Sequence, residues 1–322
     1  MSFWAFGGAS GQGLEHPAVR ELVYQLDQSR PTFLLGSGNH VAGNGRTQFL
    51  DILRYRSWWQ KFFFPALGPG ENAAYGQSVR DYGAAAQFLY RNPLMAKALD
   101  GPMRSGAFAQ GRSLQIEFPA TASSNQKKPA SYLVKIAQNG FRIWLWHLYA
   151  YPHADGQGQA PHPQTLRWLS TTLEQMVPVG QPKSDRDIAI VMSHGHRASW
   201  LAPVASTHLR KRVSRLVDVV ISGQGSQPGE IFFAKQSGMQ SGLPLQLRVP
   251  AIDGESPVVL VGQVAANPPR LYLAYHRLGD DYRRLFPAYV KYLGVRGILR
   301  RIQSPEDWQR ERRLSMDMPA AH

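Results

Sequence analysis

The sequence predicts a mixed α/β fold, and three observations carry that reading. Short apolar runs end in glycine-containing loops, as in FWAFGG (3–8), PTFLLG (31–36) and VDVVISG (217–223). Segments with apolar residues at helical spacing lie between them. Near the middle, SYLVKIAQNGFRIWLWHLY (131–149) sets two apolar-rich runs around Asn139-Gly140, a dipeptide suited to a type I′ hairpin turn.

Each element follows in order. Phe3 to Phe6 reads as a strand, and 17–28 as a helix with Pro17 pre-setting its first turn. PTFLLG is a continuous apolar run, the pattern of a buried strand. RTQFLDILRYRSWWQ (46–60) has helical spacing, FFFPALG (62–68) is a further apolar run, and 78–100 reads as mixed helix. Pro163 to Met176 is predicted helical, DIAIVMSH (187–194) is a buried strand, and THLRKRVSRL (207–216) is an amphipathic basic helix. Leu209, Val213 and Leu216 share one side of that helix. LQLRV, PVVLVGQV and RLYLAYH read as later strands, between about 230 and 276. ATASSNQKKPA (120–130) and PHADGQGQAPHP (152–163) read as surface loops. Strands on both sides of these loops share one core, so 1–300 is expected to be a single domain. Residues 301–322 are expected to be a basic C-terminal helix and tail.

The chain of 322 residues, 43% of them hydrophobic, is long enough for a sizeable core. No run of 18 apolar residues suggests a membrane helix. The absence of cysteine excludes disulfides, thiolate metal sites and cysteine nucleophiles. It leans towards an exported or periplasmic home with the signal removed, a cytoplasmic one being the alternative. Lys+Arg 36 against Asp+Glu 22 gives a net charge of +14. Such a surface attracts acidic proteins, acidic headgroups or nucleic acid, although charge for solubility alone accounts for it equally well.

The order of the glycine-rich loops resembles the calcineurin-like metallophosphoesterase superfamily, which includes the purple acid phosphatases. FWAFGGAS stands where that family has a strand and D-x-H, and PTFLLGSGN where it has a strand and G-D. FFFPALGPGE stands at G-N-H-E, IAIVMSHGH at the lone histidine, and VDVVISGQGS at G-H-x-H. PQTLRWLSTTLEQ resembles the family's helix before the lone histidine. The resemblance covers roughly residues 3 to 226 and implies two packed sheets flanked by helices, with two metal ions held on strand-end loops.

The matched positions lack most of the ligands that such chemistry needs. Two ions on the order of 3.5–4 Å apart require carboxylate, imidazole and amide donors. Here those positions read Gly8 and Ser10, Ser37, Pro69 and Gly70, then Gln224 and Ser226, and only His194 keeps a ligand type. The resemblance therefore implies a degenerate member with no catalytic residues and no metal. If the site is active instead, His194, His196 and Glu71 are the candidates, around a single divalent metal near His194. No G-x-S-x-G elbow or Gly-Lys-Ser/Thr phosphate loop is present.

Three functions follow. The first is a catalytically inactive protein acting as a binding or structural component, with a protein partner that is acidic in one version. The second is a divergent phosphoesterase or other hydrolase with a rebuilt metal site. The third is a metal-free binder of a phosphorylated ligand, gripped by backbone N–H groups of the glycine loops. Arg210, Lys211, Arg212 and Arg215 on the basic helix are the candidate anion or partner face.

Overall fold

The computed structural model describes residues 1–9, 12–38, 40, 48–55, 63–68, 105–108, 112–119, 130–152, 159–161, 163–194, 206–223, 228–230, 244–254, 257–278, 283–293 and 298–313. The first strands are β1 (Ser2–Phe6), β2 (Phe33–Gly36), β3 (Phe63–Pro65), β4 (Ser105–Phe108), β5 (Arg112–Glu117), β6 (Tyr132–Gln138), β7 (Phe141–Leu148), β8 (Ala150–Pro152) and β9 (Gln159–Pro161). Then come β10 (Asp187–Ser193), β11 (Val219–Ser222), β12 (Gly229–Glu230), β13 (Leu245–Arg248), β14 (Val258–Ala265), β15 (Arg270–Arg277), β16 (Arg283–Arg284), β17 (Ala288–Tyr292) and β18 (Leu299–Ile302). Among the described residues the helices are α1 (Pro17–Ser29), α2 (Gln48–Tyr55), α3 (Pro163–Met176), α4 (Thr207–Leu216) and α5 (Pro305–Arg313).

Two mixed eight-stranded sheets form the frame. The first runs β18-β17-β15-β14-β1-β2-β3, with β16 paired to β15. The second runs β12-β13-β11-β10-β7-β6-β5-β4. In each, a parallel set of strands forms one part and antiparallel strands extend it: β1, β2 and β3 in the first, and β7, β10, β11 and β13 in the second. This is the α/β two-sheet architecture that the sequence resemblance implied.

Among the described residues, strand alternation builds three cores at once. On β7, Ile143 and Leu145 join the inter-sheet core with Phe3, Phe6 and Met192, whereas Trp144, Trp146 and Leu148 face the helices α3 and α4. The apolar stripe of α4 (Leu209, Val213, Leu216) closes that second core, as its spacing predicts. Trp146 is fully buried, which is worth roughly 3 kcal/mol in transfer terms, and its indole N–H donates to Thr172 Oγ1 at 2.8 Å. On the outer face of the first sheet, Trp308 of α5 packs on Tyr272, Val290 and Ile302. Buried Arg270 pairs there with Glu311 of the same helix at 3.1 Å.

Local signals explain the element ends. Pro17 opens α1, and Arg30 closes it in the left-handed region with φ 43°, its N–H bonded to Leu26 O. Ser206 caps α4 by accepting from Leu209 N at 3.2 Å. Asn139 and Gly140 take φ 52° and 78°, both positive, as a type I′ turn demands. One expectation changes. The 152–163 stretch is not wholly loop, because Ala150–Pro152 and Gln159–Pro161 pair as a two-stranded ribbon. The predicted helical region at 78–100 and most of the 120–130 loop lie outside the described residues.

Candidate functional site

The C-terminal ends of β1, β2, β3, β10 and β11 converge where the two sheets meet. Of the positions singled out from sequence, Gly8, Ser37 and His194 are described there. Ser10, Pro69, Gly70, Glu71, His196, Gln224 and Ser226 lie outside the described residues.

The strand ends touch directly. Ser37 is fully buried; its N–H and its Oγ both donate to Phe6 O, at 3.0 and 3.2 Å, tying the end of β2 to the end of β1. His194, 2% exposed, donates from Nδ1 to the Ser37 carbonyl at 2.5 Å, which ties one sheet to the other. Gly38 takes φ +92°, and a Cβ there would lie 2.6 Å from His194 Nδ1 and 2.9 Å from the Gly68 nitrogen. A Cβ on Gly223 would lie 2.1 Å from Ser37 O. Any side chain at either glycine would collide with the facing loop, so backbone fills the gap between the strand ends.

Around this contact two further imidazoles are caged. His40 accepts from Gly38 N through Nε2 at 3.2 Å and is enclosed by Phe6, Phe49 and Phe63 at ring distances of 5.3–6.0 Å. Burial, with the nearby His194 adding to it, lowers its pKa to about 3. One strand layer away, His147 stacks on Tyr132 at 4.4 Å. Neither His147 ring nitrogen has a partner among the described residues, and burial lowers this pKa to about 3 as well. Tyr132 in turn donates to Pro65 O at 2.7 Å, joining β6 to the end of β3.

Among the described residues, the donor set does not fit a metal pair. His194 spends Nδ1 on a carbonyl, Ser37 offers only a hydroxyl already turned to Phe6 O, and Gly8 has no side chain. Its carbonyl accepts from Ile252 N at 3.0 Å. Among the described residues, no group of three or more His, Asp or Glu comes together that could hold a metal. A divalent ion pair needs several anionic or imidazole donors to offset its own desolvation, and the described residues do not bring such a set together.

The basic candidates occupy a different place. His208, Lys211, Arg212 and Arg215 recur along α4 at helical spacing and face the turn after α3. With Val177, Pro178, Val179, Gly180 and Gln181 they line an open cavity of about 210 Å³. Arg212 donates to Val177 O at 3.0 Å and Arg215 to Gln181 O at 3.0 Å. Helix α3 has no basic residue in its last turn, so Arg212 supplies from the neighbouring helix the cation that its C-terminus favours. Glu174 is the carboxylate nearby, 3.9 Å from both His208 and Arg212. Arg210, the fourth sequence candidate, reaches Thr207 on its own helix and does not line the cavity. The turn 177–181 was missed in the sequence, where Pro178-Val179-Gly180-Gln181-Pro182 signals only a loop.

The two sheets, their order and the strand-end position of the converging loops define a metallophosphoesterase fold. The solved structures to which the chain is similar include a dimetal phosphatase from Danio rerio, at 11% identity and TM-score 0.51, covering 88% of this chain and 98% of that one. They also include a purple acid phosphatase from yellow lupin seeds, at 12% identity and TM-score 0.46, covering 88% of this chain and 52% of that one. A Vps29 single mutant from Entamoeba histolytica, at 12% identity and TM-score 0.34, covers 94% of this chain and 99% of that one. Only the first of these three scores is high enough to bear on the fold, and at such identity it speaks for the fold alone. No family model matches the chain, and no curated protein matches it either.

Proposed function

We propose that this protein has the metallophosphoesterase fold without its hydrolysis and acts as a binding or structural component. The observation that supports this best is the closure at the strand ends: His194 bonded to Ser37 O, and Gly223 seated against Ser37, where the fold's ion pair belongs. Phosphoryl hydrolysis on this fold requires the ions to generate a nucleophile and to take up charge on the phosphoryl oxygens. Among the described residues, a hydroxyl and one committed imidazole supply neither. The acidic ligands are replaced by neutral residues, so the site has also lost the charge that held the ions.

The test is turnover. Purified protein is assayed with p-nitrophenyl phosphate and bis-p-nitrophenyl phosphate in Mn²⁺, Zn²⁺ or Fe²⁺, beside His194→Ala. The expected result is background hydrolysis in both, with no metal dependence. Metal-dependent turnover that disappears in His194→Ala would establish the rebuilt-site hydrolase instead.

A further inference from the structure

The cavity between α4 and the turn after α3 lies away from the strand-end loops, on the helical side of the second sheet. It is near the end where β10 and β11 begin, since α3 and α4 each lead back to the starts of those strands. Its two walls differ in chemistry. One is basic, from Lys211, Arg212, Arg215 and His208, and the other is apolar, from Val177, Pro178 and Val179. Val179 is 74% exposed, a large apolar side chain left in water at the lip.

We propose that this cup binds an acidic segment of a partner protein, a carboxylate side chain entering against the basic wall with an apolar neighbour on Val179. Charge complementarity carries the choice. Arg212 serves the end of α3, and Glu174 faces Arg212 and His208, which leaves Lys211 and Arg215 as the cations at the solvent edge. Arg215 is anchored to Gln181 O, so its guanidinium is held for a partner at little entropic cost. A free phosphate prefers convergent donors in a closed nest, and this cup is open and apolar on one side. A nucleic acid duplex carries a charge about every 1.7 Å and rewards a long basic stripe, whereas here the cations sit on one face of a ten-residue helix. The inference does not depend on the loss of hydrolysis, because it concerns another face of the molecule and its test reads binding.

The experiment is fluorescence anisotropy of the full chain with a short labelled peptide of alternating Glu and Leu. Inorganic phosphate and duplex DNA serve as competing probes. Lys211→Glu with Arg215→Glu is expected to weaken peptide binding roughly tenfold or more. Val179→Asp is expected to weaken it in the same direction. Arg310→Glu with Arg313→Glu, the same charge change on α5, is expected to leave it within twofold. Thermal melts check folding, and Lys211→Glu alone keeps the test open if the double variant does not fold. Three results would overturn the proposal: no binding by the unaltered protein, equal loss with the α5 pair, or phosphate or DNA bound more tightly than the peptide with the same dependence on the cup.

Discussion

The strand-end loops and the helical cup make opposite use of glycine and charge. At the strand ends, Gly38 and Gly223 let backbone approach backbone, and Ser37, His40 and His194 are buried in hydrogen bonds or aromatic packing. At the cup, Gly180 sits in an open turn with nothing within reach of an added Cβ, and the cations stand at the surface. Small residues at the described strand ends therefore let the two sheets meet backbone to backbone, whereas the cup keeps its cations apart and in solvent. Polar groups buried at such a contact must be satisfied internally, which is why His194 donates to a carbonyl.

The largest effect expected from breaking this arrangement is that of Ser37→Asp. A carboxylate at that buried position meets the Ser37–Gly223 contact, with no Lys or Arg of the described residues shown beside it to pair it. Chemical denaturation should show a loss of about 3–5 kcal/mol, unrelieved by Mn²⁺. Relief by Mn²⁺ would mean that the loops reopen around metal.

Acid should weaken the molecule next. His147 and His40 have folded pKa values of about 3, below the ordinary 6.5, so the folded state binds fewer protons than the unfolded state between those values. Their contribution is complete above pH 6.5 and is lost as pH falls from 6.5 towards 3. At about 1.4 kcal/mol per pH unit for each group, the pair should cost about 2–4 kcal/mol between pH 6.5 and 5. His147→Leu, measured by urea denaturation across that range, should make the dependence shallower. An unchanged slope would assign the acid sensitivity elsewhere.

Gly223→Ala should cost about 1–3 kcal/mol by thermal melt, because its Cβ would meet Ser37 O. Gly180→Ala meets open space and pays only for its φ of +84°, so the strand-end variant should be the worse of the two. The smallest change in stability is expected for Lys211→Glu with Arg215→Glu, within about 0.5 kcal/mol, since exposed charges contribute little. Comparable losses at the cup and at the strand ends would erase the distinction between the two regions.

Much of the frame was legible because periodicity and caps agreed. The helices at Pro163–Met176 and Thr207–Leu216 have the predicted bounds, set by proline at one N-terminus and a serine cap at the other. The strands at Phe33–Gly36 and Asp187–Ser193 are buried throughout and apolar apart from Asp187 and Ser193 at the ends of the second. Strands such as Leu299–Ile302 gave no such signal: Arg300 and Arg301 interrupt any apolar alternation, and pairing with β17 creates the strand. At the candidate site, the order of glycine-rich loops pointed to Gly8, Ser37 and His194. Their mutual closure was not legible, because it depends on distances between two sheets. Nor was the role of His147, which carries no motif and is set by its burial beside the Tyr132 ring.

Whether the strand ends hold metal decides between a binding protein and a hydrolase. Equilibrium dialysis of the full chain against Mn²⁺ and Zn²⁺, followed by metal analysis of the protein, measures it directly. The account predicts well under one ion per chain and no difference between the unaltered protein and His194→Ala. Two ions per chain, lost on His194→Ala, would contradict it.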